Sequence, residues 1–327
     1  MEKFSAYRIF EDGGKVAGRF VELTLDDLDP GEVVIKTAYA SVNYKDALAA
    51  TGAGKVIRRF PCIGGIDASG VVISSTSPRL KAGDQVIAHG GELGVAHDGG
   101  YAAYVRAKAD WVMPLPPAIS TADAATLGVA GFTAALAVHI LETNGLAPGN
   151  GKVLVNGATG GVASTVIDML SQLGYQVVAL TGKDGAHDYL KRLGAAEVLS
   201  RAKLEMGKRP LEKSTWAAAF DSVGGEQLAW LTRTMHSGGL IAAFGNAGGI
   251  ELNTTVLPFI LRGVRLIGVN SDSPLPLREI VWQRLATDLK PRHLADIRKV
   301  VEFERLPEVF QAVLKGQMTG RSVVRIL

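Results

Sequence analysis

The sequence predicts an α/β protein in two parts, and three observations carry that reading. Up to about residue 123 the chain runs in short β-type segments between turn signals. From about 124 it alternates apolar strands with helical periodicity. Its 327 residues, at about 150 per domain, suit two domains. The first pattern predicts an antiparallel barrel or sandwich-like unit, the second a doubly wound parallel sheet.

The elements follow in order. After Met1-Glu2-Lys3-Phe4-Ser5 comes an alternating stretch with Arg8, Glu11 and Asp12, and no apolar signal-peptide region follows. Residues 33–37 (Val-Val-Ile-Lys-Thr) follow the turn Asp29-Pro30-Gly31, and 70–73 precede a Ser/Thr/Pro loop. Residues 85–88 follow Lys81-Ala82-Gly83-Asp84, and 101–106 and 111–113 complete the β set before Pro114, Pro116 and Pro117 punctuate the chain. The longest run without Asp, Glu, Lys or Arg is 124–141, long enough to test as a membrane span. Its alanines, with Gly128, Gly131, Thr126, Thr133 and His139, read instead as a buried helix. The expected location is cytoplasmic.

Residues 152–156 then form a strand, a glycine turn follows, and 162–173 carry apolar residues at helical spacing until Gly174 stops them. Residues 176–180 read as the next strand and 188–193 as part of a helix ending at Gly194. Further strands lie at 216–220, 240–244 and 264–269. The tail ends in a strand at 322–326, expected to return to the first part. The expected division is 1–123 for the first domain, 124–289 for the parallel-sheet domain, and 290–327 for the return. No internal repeat or low-complexity tract interrupts it.

Composition narrows the function. Hydrophobic residues at 47% and charged residues at 20% provide a large core. The 39 glycines, about 12% against roughly 7% in average usage, imply many tight turns and close backbone approaches. A net charge of 35 − 32 = +3 gives no argument for a nucleic-acid or anionic-membrane partner. Cys62 is the one cysteine, which excludes an intramolecular disulfide and any multi-cysteine zinc site.

The segment Gly157-Ala158-Thr159-Gly160-Gly161-Val162-Ala163 has the spacing Gly-x-x-Gly-x-x-Ala. It sits between a strand and a helix, the context that a dinucleotide fingerprint demands. Small residues let backbone amides reach a pyrophosphate, and the helix amino terminus supplies partial positive charge. This predicts a Rossmann unit. An NAD site carries Asp or Glu about 20 residues beyond that turn, to hold the ribose 2′-hydroxyl. Here stand Thr181, Gly182 and Lys183, with no carboxylate until Asp184. Lys183 and the Thr181 hydroxyl attract a 2′-phosphate, so the cofactor expected is NADPH, with Arg201 as a second phosphate partner. The missing carboxylate also argues against flavin, and no Gly-x-x-x-x-Gly-Lys-Ser/Thr loop supports ATP or GTP hydrolysis.

The histidines His89, His97, His139, His187, His236 and His293 are scattered, with no His-x-x-x-His or Cys-x-x-Cys pair, so no metal is expected. No Gly-x-Ser-x-Gly elbow points to nucleophilic catalysis. Hydride chemistry without a metal needs an acceptor whose developing charge hydrogen bonds can meet. Enones, enoyl thioesters and quinones fit that requirement.

Several segments resemble one family. These are Ser41-Val42-Asn43-Tyr44-Lys45-Asp46-Ala47-Leu48, Gly52-Ala53-Gly54-Lys55, Arg58-Arg59-Phe60-Pro61 and Gly65-Ile66-Asp67-Ala68-Ser69-Gly70. Ala130-Gly131-Phe132-Thr133-Ala134, the turn at 157–163, Thr181-Gly182-Lys183, residues 209–213 and residues 257–262 match it too. The chain resembles, along its length, the acryloyl-CoA reductase (YhdH/YhfP-type quinone oxidoreductase) branch of zinc-free medium-chain dehydrogenase/reductases. The resemblance implies a GroES-like β-barrel catalytic domain beside the Rossmann domain, with NADPH in the cleft between them. It implies reduction of acryloyl-CoA to propanoyl-CoA and a homodimer, through the sheet edge near 264–269. By matching position it places Tyr44 at the nicotinamide, and Gly157, Thr159, Gly160, Gly161 and Val162 at the pyrophosphate. Thr181, Gly182, Lys183 and Arg201 surround the 2′-phosphate, Asn246, Ile260 and Ser271 line the nicotinamide half, and Arg321 is a late cofactor-side contact.

Three departures stand out: Ala163 where relatives often have Gly, Gly64 where proline is expected before Gly65, and Asn246 where an apolar residue is usual. Tyr44 either donates a proton or hydrogen bond to the acceptor, or only packs against the ring. Asn43 and Asp46 flank it as candidate catalytic residues; Asp46 orients Tyr44 or Lys45, or caps the helix that follows. Arg58 and Arg59 either bind coenzyme A phosphates or form a solvated face. Two other functions stay open: a quinone or small-enone reductase, and an NADPH sensor or RNA-binding module without turnover.

Overall fold

The structure is a computed structural model and describes residues 3–327. In chain order the strands are β1 (Phe4–Asp12), β2 (Lys15–Leu23), β3 (Val33–Val42), β4 (Cys62–Ile63), β5 (Asp67–Ser75), β6 (Gln85–His89), β7 (Tyr104–Ala107) and β8 (Val112–Pro114). They continue as β9 (Lys152–Asn156), β10 (Gln176–Thr181), β11 (Glu197–Ser200), β12 (Trp216–Asp221), β13 (Met235–Ala243), β14 (Arg265–Gly268), β15 (Arg298–Glu302) and β16 (Arg321–Arg325). The helices are α1 (Tyr44–Thr51), α2 (Thr121–Thr143), α3 (Gly161–Gln172), α4 (His187–Arg192), α5 (Gly225–Thr234), α6 (Leu257–Arg262), α7 (Leu275–Ala286), α8 (Leu294–Ile297) and α9 (Leu306–Leu314).

The chain divides into two units. The first runs to Ala130 and takes in Asp272–Ala286 and Leu294–Leu327. The second comprises Gly131–Ser271 and Thr287–His293. These limits differ from those expected: 124–130 and 272–286 fall in the first unit, and 290–293 in the second. Side chains explain both shifts. Arg278 of α7, buried, donates to the carbonyls of His89 (2.7 Å), Asp110 (2.7 Å) and Trp111 (3.0 Å), which holds α7 in the first unit. Asp168 of α3 accepts the His293 backbone N–H at 2.8 Å and faces His293 Nδ1 at 3.1 Å, which holds 287–293 in the second.

In the first unit β1 and β2 form a hairpin across Gly13 and Gly14, both at positive φ (58° and 80°), as its two-residue turn requires. A second sheet has the order β15-β16-β3-β5-β6-β8, with β7 on β3; its pairings are antiparallel except β15 with β16. Tyr7 and Tyr101 pack on Phe310 of α9, with ring centroids 5.7 and 5.8 Å apart, in one core; Val33, Ile35, Val86 and Val105 belong to another. The tail strand β16 lies against β3.

The second unit is a six-stranded parallel sheet in the order β11-β10-β9-β12-β13-β14. Its central strands read as continuous apolar runs because both faces are covered; Val153, Leu154 and Val155 are fully buried. The order reverses at β9 and β12, which places a ligand crevice beyond the carboxyl end of β9.

The apolar run at 124–141 is not one helix. Gly128 (φ 48°, ψ −149°) interrupts α2, a conformation reserved for glycine. By length and composition α2 could cross a membrane, but 83% of its apolar window is buried inside the protein.

Candidate functional site

The glycine turn is built from the two strands at the switch point. Asn156, at the end of β9, is fully buried; its Oδ1 accepts the Ser222 N–H at 2.8 Å and its Nδ2 donates to Asp221. Ser222 Oγ donates to the Asn156 carbonyl at 3.0 Å. This lock fixes where the chain leaves β9, and Gly157 (φ 56°) follows with no space for a side chain, since a Cβ would lie 2.2 Å from Ser222 Oγ. Asp221 also accepts the Gly224 N–H at 2.9 Å. Burial raises its carboxyl above the ordinary range, tempered by the bonds from Asn156, Gly224 and Val223.

Gly160 caps α3 and donates its N–H to the Gly157 carbonyl at 2.8 Å. Thr159 is buried, whereas Gly161 and Val162 are half-exposed at the helix start. Ala163 points into the core (1% exposed), so the helix packing accepts a methyl where relatives often have Gly. The result is a concave backbone surface at the amino terminus of a twelve-residue helix, which suits a pyrophosphate.

The residues expected around a 2′-phosphate come together at the end of β10. Thr181 Oγ1 accepts the Lys183 N–H at 3.0 Å. The Arg201 guanidinium lies over Gly182: a Cβ there would meet Nη2 at 2.7 Å and Cζ at 2.8 Å. Burial draws the Lys183 ammonium pKa below its ordinary value, as desolvation of a cation does. Asp184, the first carboxylate, accepts from Ser200 Oγ at 3.0 Å. Asn246 is exposed after β13, its carbonyl taking the Gly249 N–H at 3.1 Å. Ile260 on α6 is exposed, and Ser271 is half-buried after β14.

In the first unit, Tyr44 opens α1 and is 44% exposed. Asn43 is the N-cap, and Asp46 Oδ2 reaches back to accept its N–H at 2.8 Å. Asp46 is buried and also accepts the Ile66 N–H at 3.0 Å. Of the roles expected for it, capping is the one its bonds display. Desolvation, with the nearby Asp67 charge, pushes its carboxyl up to about 7, against the pull of the Asn43 and Ile66 bonds.

Three of the residues expected at the site have their polar groups engaged within the protein. Asn43 has its amide committed to protein groups: Nδ2 donates to Asp46 (3.0 Å) and Asp67 (3.1 Å), and Oδ1 accepts from Arg321 (3.0 Å). Arg321 is buried and bonded to Ser41, Val42, Asn43 and Thr126. Arg59 is also spent inside the protein, on Asp29, Asp98 (3.9 Å) and the Ala96 carbonyl (3.1 Å). Arg58 stays on the surface in an ion pair with Glu92 at 3.5 Å. Asp67, Ser41 and Gly128 gather at the same place unforeseen. The signal for Asp67 is one carboxylate set among small and apolar residues at the start of a strand.

Cys62 is buried, and desolvation followed by the Asp98 charge pushes its thiol up to about 12. Among the described residues no three His, Cys, Asp or Glu side chains gather as a metal-ligand group.

This combination of a nucleotide-turn sheet and an antiparallel β unit defines a dehydrogenase/reductase of the medium-chain class. Residues 29–117 match the alcohol dehydrogenase GroES-like domain, and residues 161–287 match the zinc-binding dehydrogenase domain. The chain is 45% identical to YhfP of Bacillus subtilis, which carries a quinone-oxidoreductase name, over 99% of both chains. It is 43% identical to the acrylyl-CoA reductase AcuI of Ruegeria pomeroyi, over 97% of this chain and 96% of that one. The crystal structure of the YhdH oxidoreductase from Salmonella enterica in complex with NADP is similar at a TM-score of 0.95 and 44% identity, covering 99% of this chain and 100% of that one. B. subtilis YhfP with NAD bound gives a TM-score of 0.96 at 44% identity, with the same coverage. The chain belongs to the acryloyl-CoA reductase (YhdH/YhfP-type quinone oxidoreductase) branch of the medium-chain dehydrogenase/reductases, and it is an oxidoreductase.

Proposed function

We propose that the protein is an NADPH-dependent, zinc-independent reductase of activated carbon–carbon double bonds, with acryloyl-CoA as substrate and propanoyl-CoA as product. The observation that carries the cofactor is the Arg201 guanidinium lying on Gly182 beside Lys183, where an NAD-selective site would hold a carboxylate. NADPH, when bound, supplies a hydride to the β-carbon of the acceptor. Gly157, Gly160, Gly161 and Val162 hold its pyrophosphate through backbone amides, and Thr159 closes the turn. Thr181, Gly182, Lys183 and Arg201 hold the 2′-phosphate. Asn246, Ile260 and Ser271 line the nicotinamide half. Tyr44 offers its phenol hydrogen bond to the thioester carbonyl, answering the negative charge that reduction builds on the oxygen and α-carbon, and a proton taken up from solvent at the α-carbon completes the product. Arg58, exposed on the surface, would exchange its Glu92 partner for a coenzyme A phosphate.

A second reading has its own support. With Arg59 engaged by Asp29 and Asp98, one of two expected coenzyme A cations is spent, and a quinone or small enone needs neither. The structure of YhfP contains NAD, so the nucleotide preference is tested alongside. A sensor or RNA-binding role predicts NADPH binding with no acceptor consumed.

The chain acts as a homodimer in the cytoplasm. β14 ends the parallel sheet with an edge open to a further strand, and Ile250, Val256 and Leu261 are exposed in the segment leading to it. A second copy pairing across this edge completes the backbone ladder and covers the apolar side chains.

The test follows NADPH oxidation with acryloyl-CoA and with a benzoquinone, both corrected for non-enzymatic reduction. High kcat/KM for the thioester, falling about a hundredfold in Tyr44→Phe, is the expected result. Turnover with quinone alone transfers the assignment to the second reading.

A further inference from the structure

A charged cluster is bonded to Asn43, the residue before Tyr44, and acceptor reduction makes no use of it. Asp67, fully buried at the start of β5, accepts from the Ser41 N–H at 2.8 Å and from Ser41 Oγ at 2.6 Å. Its other oxygen accepts from Asn43 Nδ2 and from the Val129 N–H, each at 3.1 Å. Arg321, from β16, stands 3.8 Å from that oxygen. Its Nε donates to the Thr126 carbonyl at 3.1 Å, its Nη1 to Val42 O (3.2 Å) and Asn43 Oδ1 (3.0 Å), and its Nη2 to Ser41 Oγ. The break in α2 makes the close approach possible, because a Cβ on Gly128 would sit 2.5 Å from Asp67 Oδ2.

Asn43 is thus gripped at both ends of its amide, by an anion at the nitrogen and a cation at the oxygen. The next residue is Tyr44. A helix start clamped in this way fixes the backbone of the next residue and so the direction in which its Cα–Cβ bond leaves the helix. Two ions taken out of water at this point are a costly choice for stability alone, since a well-packed apolar pair serves that purpose as well.

We propose that Asp67 and Arg321 are positioning residues for Tyr44, acting through Asn43 to set the first turn of α1. The inference rests on the role given to Tyr44 in acceptor reduction. It assigns neither residue a contact with substrate or cofactor.

The test is a double-mutant cycle, with Asp67→Asn and Asn43→Ala each made in the wild-type and Tyr44→Phe backgrounds. Acryloyl-CoA turnover, NADPH binding by fluorescence, and hydrogen exchange of the amides at 45–48 are measured for each. Both substitutions lower kcat about ten- to a hundredfold in the wild-type background. In the Tyr44→Phe background they change it less than about twofold, because the group they position is gone. The NADPH dissociation constant stays within about twofold, and the amides at 45–48 exchange faster. Asn43→Ala leaves the ion pair intact, so it decides the matter if Asp67→Asn does not fold. An equal loss of kcat in both backgrounds overturns the proposal, as does unchanged exchange. A tenfold weaker NADPH complex in Arg321→Lys also overturns it, by making Arg321 a cofactor contact. A wild-type chain inactive on both acceptors sinks the functional reading separately, and the exchange data still decide whether the cluster sets α1.

Discussion

Replacing Arg201 by alanine tests the cofactor assignment most directly. The side chain is exposed, so the substitution leaves the core intact. Its guanidinium is placed by contact with the Gly182 backbone, where a Cβ would meet Nη2 at 2.7 Å and Nε at 3.1 Å. That leaves its planar fork for a phosphate, which arginine binds through two parallel charge-assisted hydrogen bonds. Such bonds contribute about 1.5–3 kcal/mol each in general, and solvent exposure reduces the pair to about 2 kcal/mol. At 1.4 kcal/mol per decade this is about thirtyfold in Kd. Fluorescence titration of Arg201→Ala should therefore show NADPH weakened about thirtyfold and NADH unchanged within about twofold. Gly182→Ala approaches the same site from beneath: the new methyl displaces the guanidinium and weakens NADPH severalfold, again sparing NADH. Equal weakening of both nucleotides, or of neither, would refute the placement of the 2′-phosphate at Arg201.

Three further outcomes follow from the geometry. Gly157→Ala forces a left-handed backbone on alanine, costing about 1–3 kcal/mol, and drives its Cβ into Ser222 Oγ. Melting temperature and NADPH affinity should both fall, and adding Ser222→Ala should restore part of each. Asp46 binds its proton more tightly folded than unfolded, so between about pH 4 and 7 its contribution to stability falls as pH rises. At about 1.4 kcal/mol per pH unit the ceiling is about 4 kcal/mol; denaturant unfolding of Asp46→Asn should show a flatter pH profile than wild type, and parallel profiles would contradict this. Val256→Glu with Leu261→Glu places charge on the apolar surface beside β14, and sedimentation should then report half the mass of the wild-type particle.

The parallel-sheet unit was the more legible half of the sequence, because a strand covered on both faces must be apolar throughout. Residues 152–156, 176–180 and 216–220 announce themselves this way, and the glycine turn lies between the first of them and its helix. Strand β11, half-exposed along its length at the sheet edge, lacks that signature. β13 starts at Met235 rather than 240 because Met235 alone pairs with Trp216 ahead of the main ladder; the register then jumps to Leu240 across His236-Ser237-Gly238-Gly239, which reads as a loop. At the site, local chemistry was readable and long-range pairing was not. Thr181, Gly182 and Lys183 are consecutive, and Arg201 follows one strand later. Arg59 gave no hint that Asp29 and Asp98 would neutralise it, nor Arg321 that its partners are 254 and 280 residues away, at Asp67 and Ser41. The limits of the units escaped notice for the same reason: one buried arginine, Arg278, decides where α7 belongs.

The place of β16 beside β3 has a consequence for how the protein is made. The central sheet of the first unit joins residues near the start of the chain to some of the last ones. At about 5–20 residues per second, roughly 10–40 s of synthesis separate Ala130 from Arg325. Throughout that interval the Tyr39–Val42 end of β3 lacks its β16 partner, and Asp67 waits without its counter-ion. The stretch from Gly131 to Ser271 can meanwhile complete its six strands. The nascent chain therefore finishes its nucleotide-binding half first, and the half that bears Tyr44 closes only once β16 has been made.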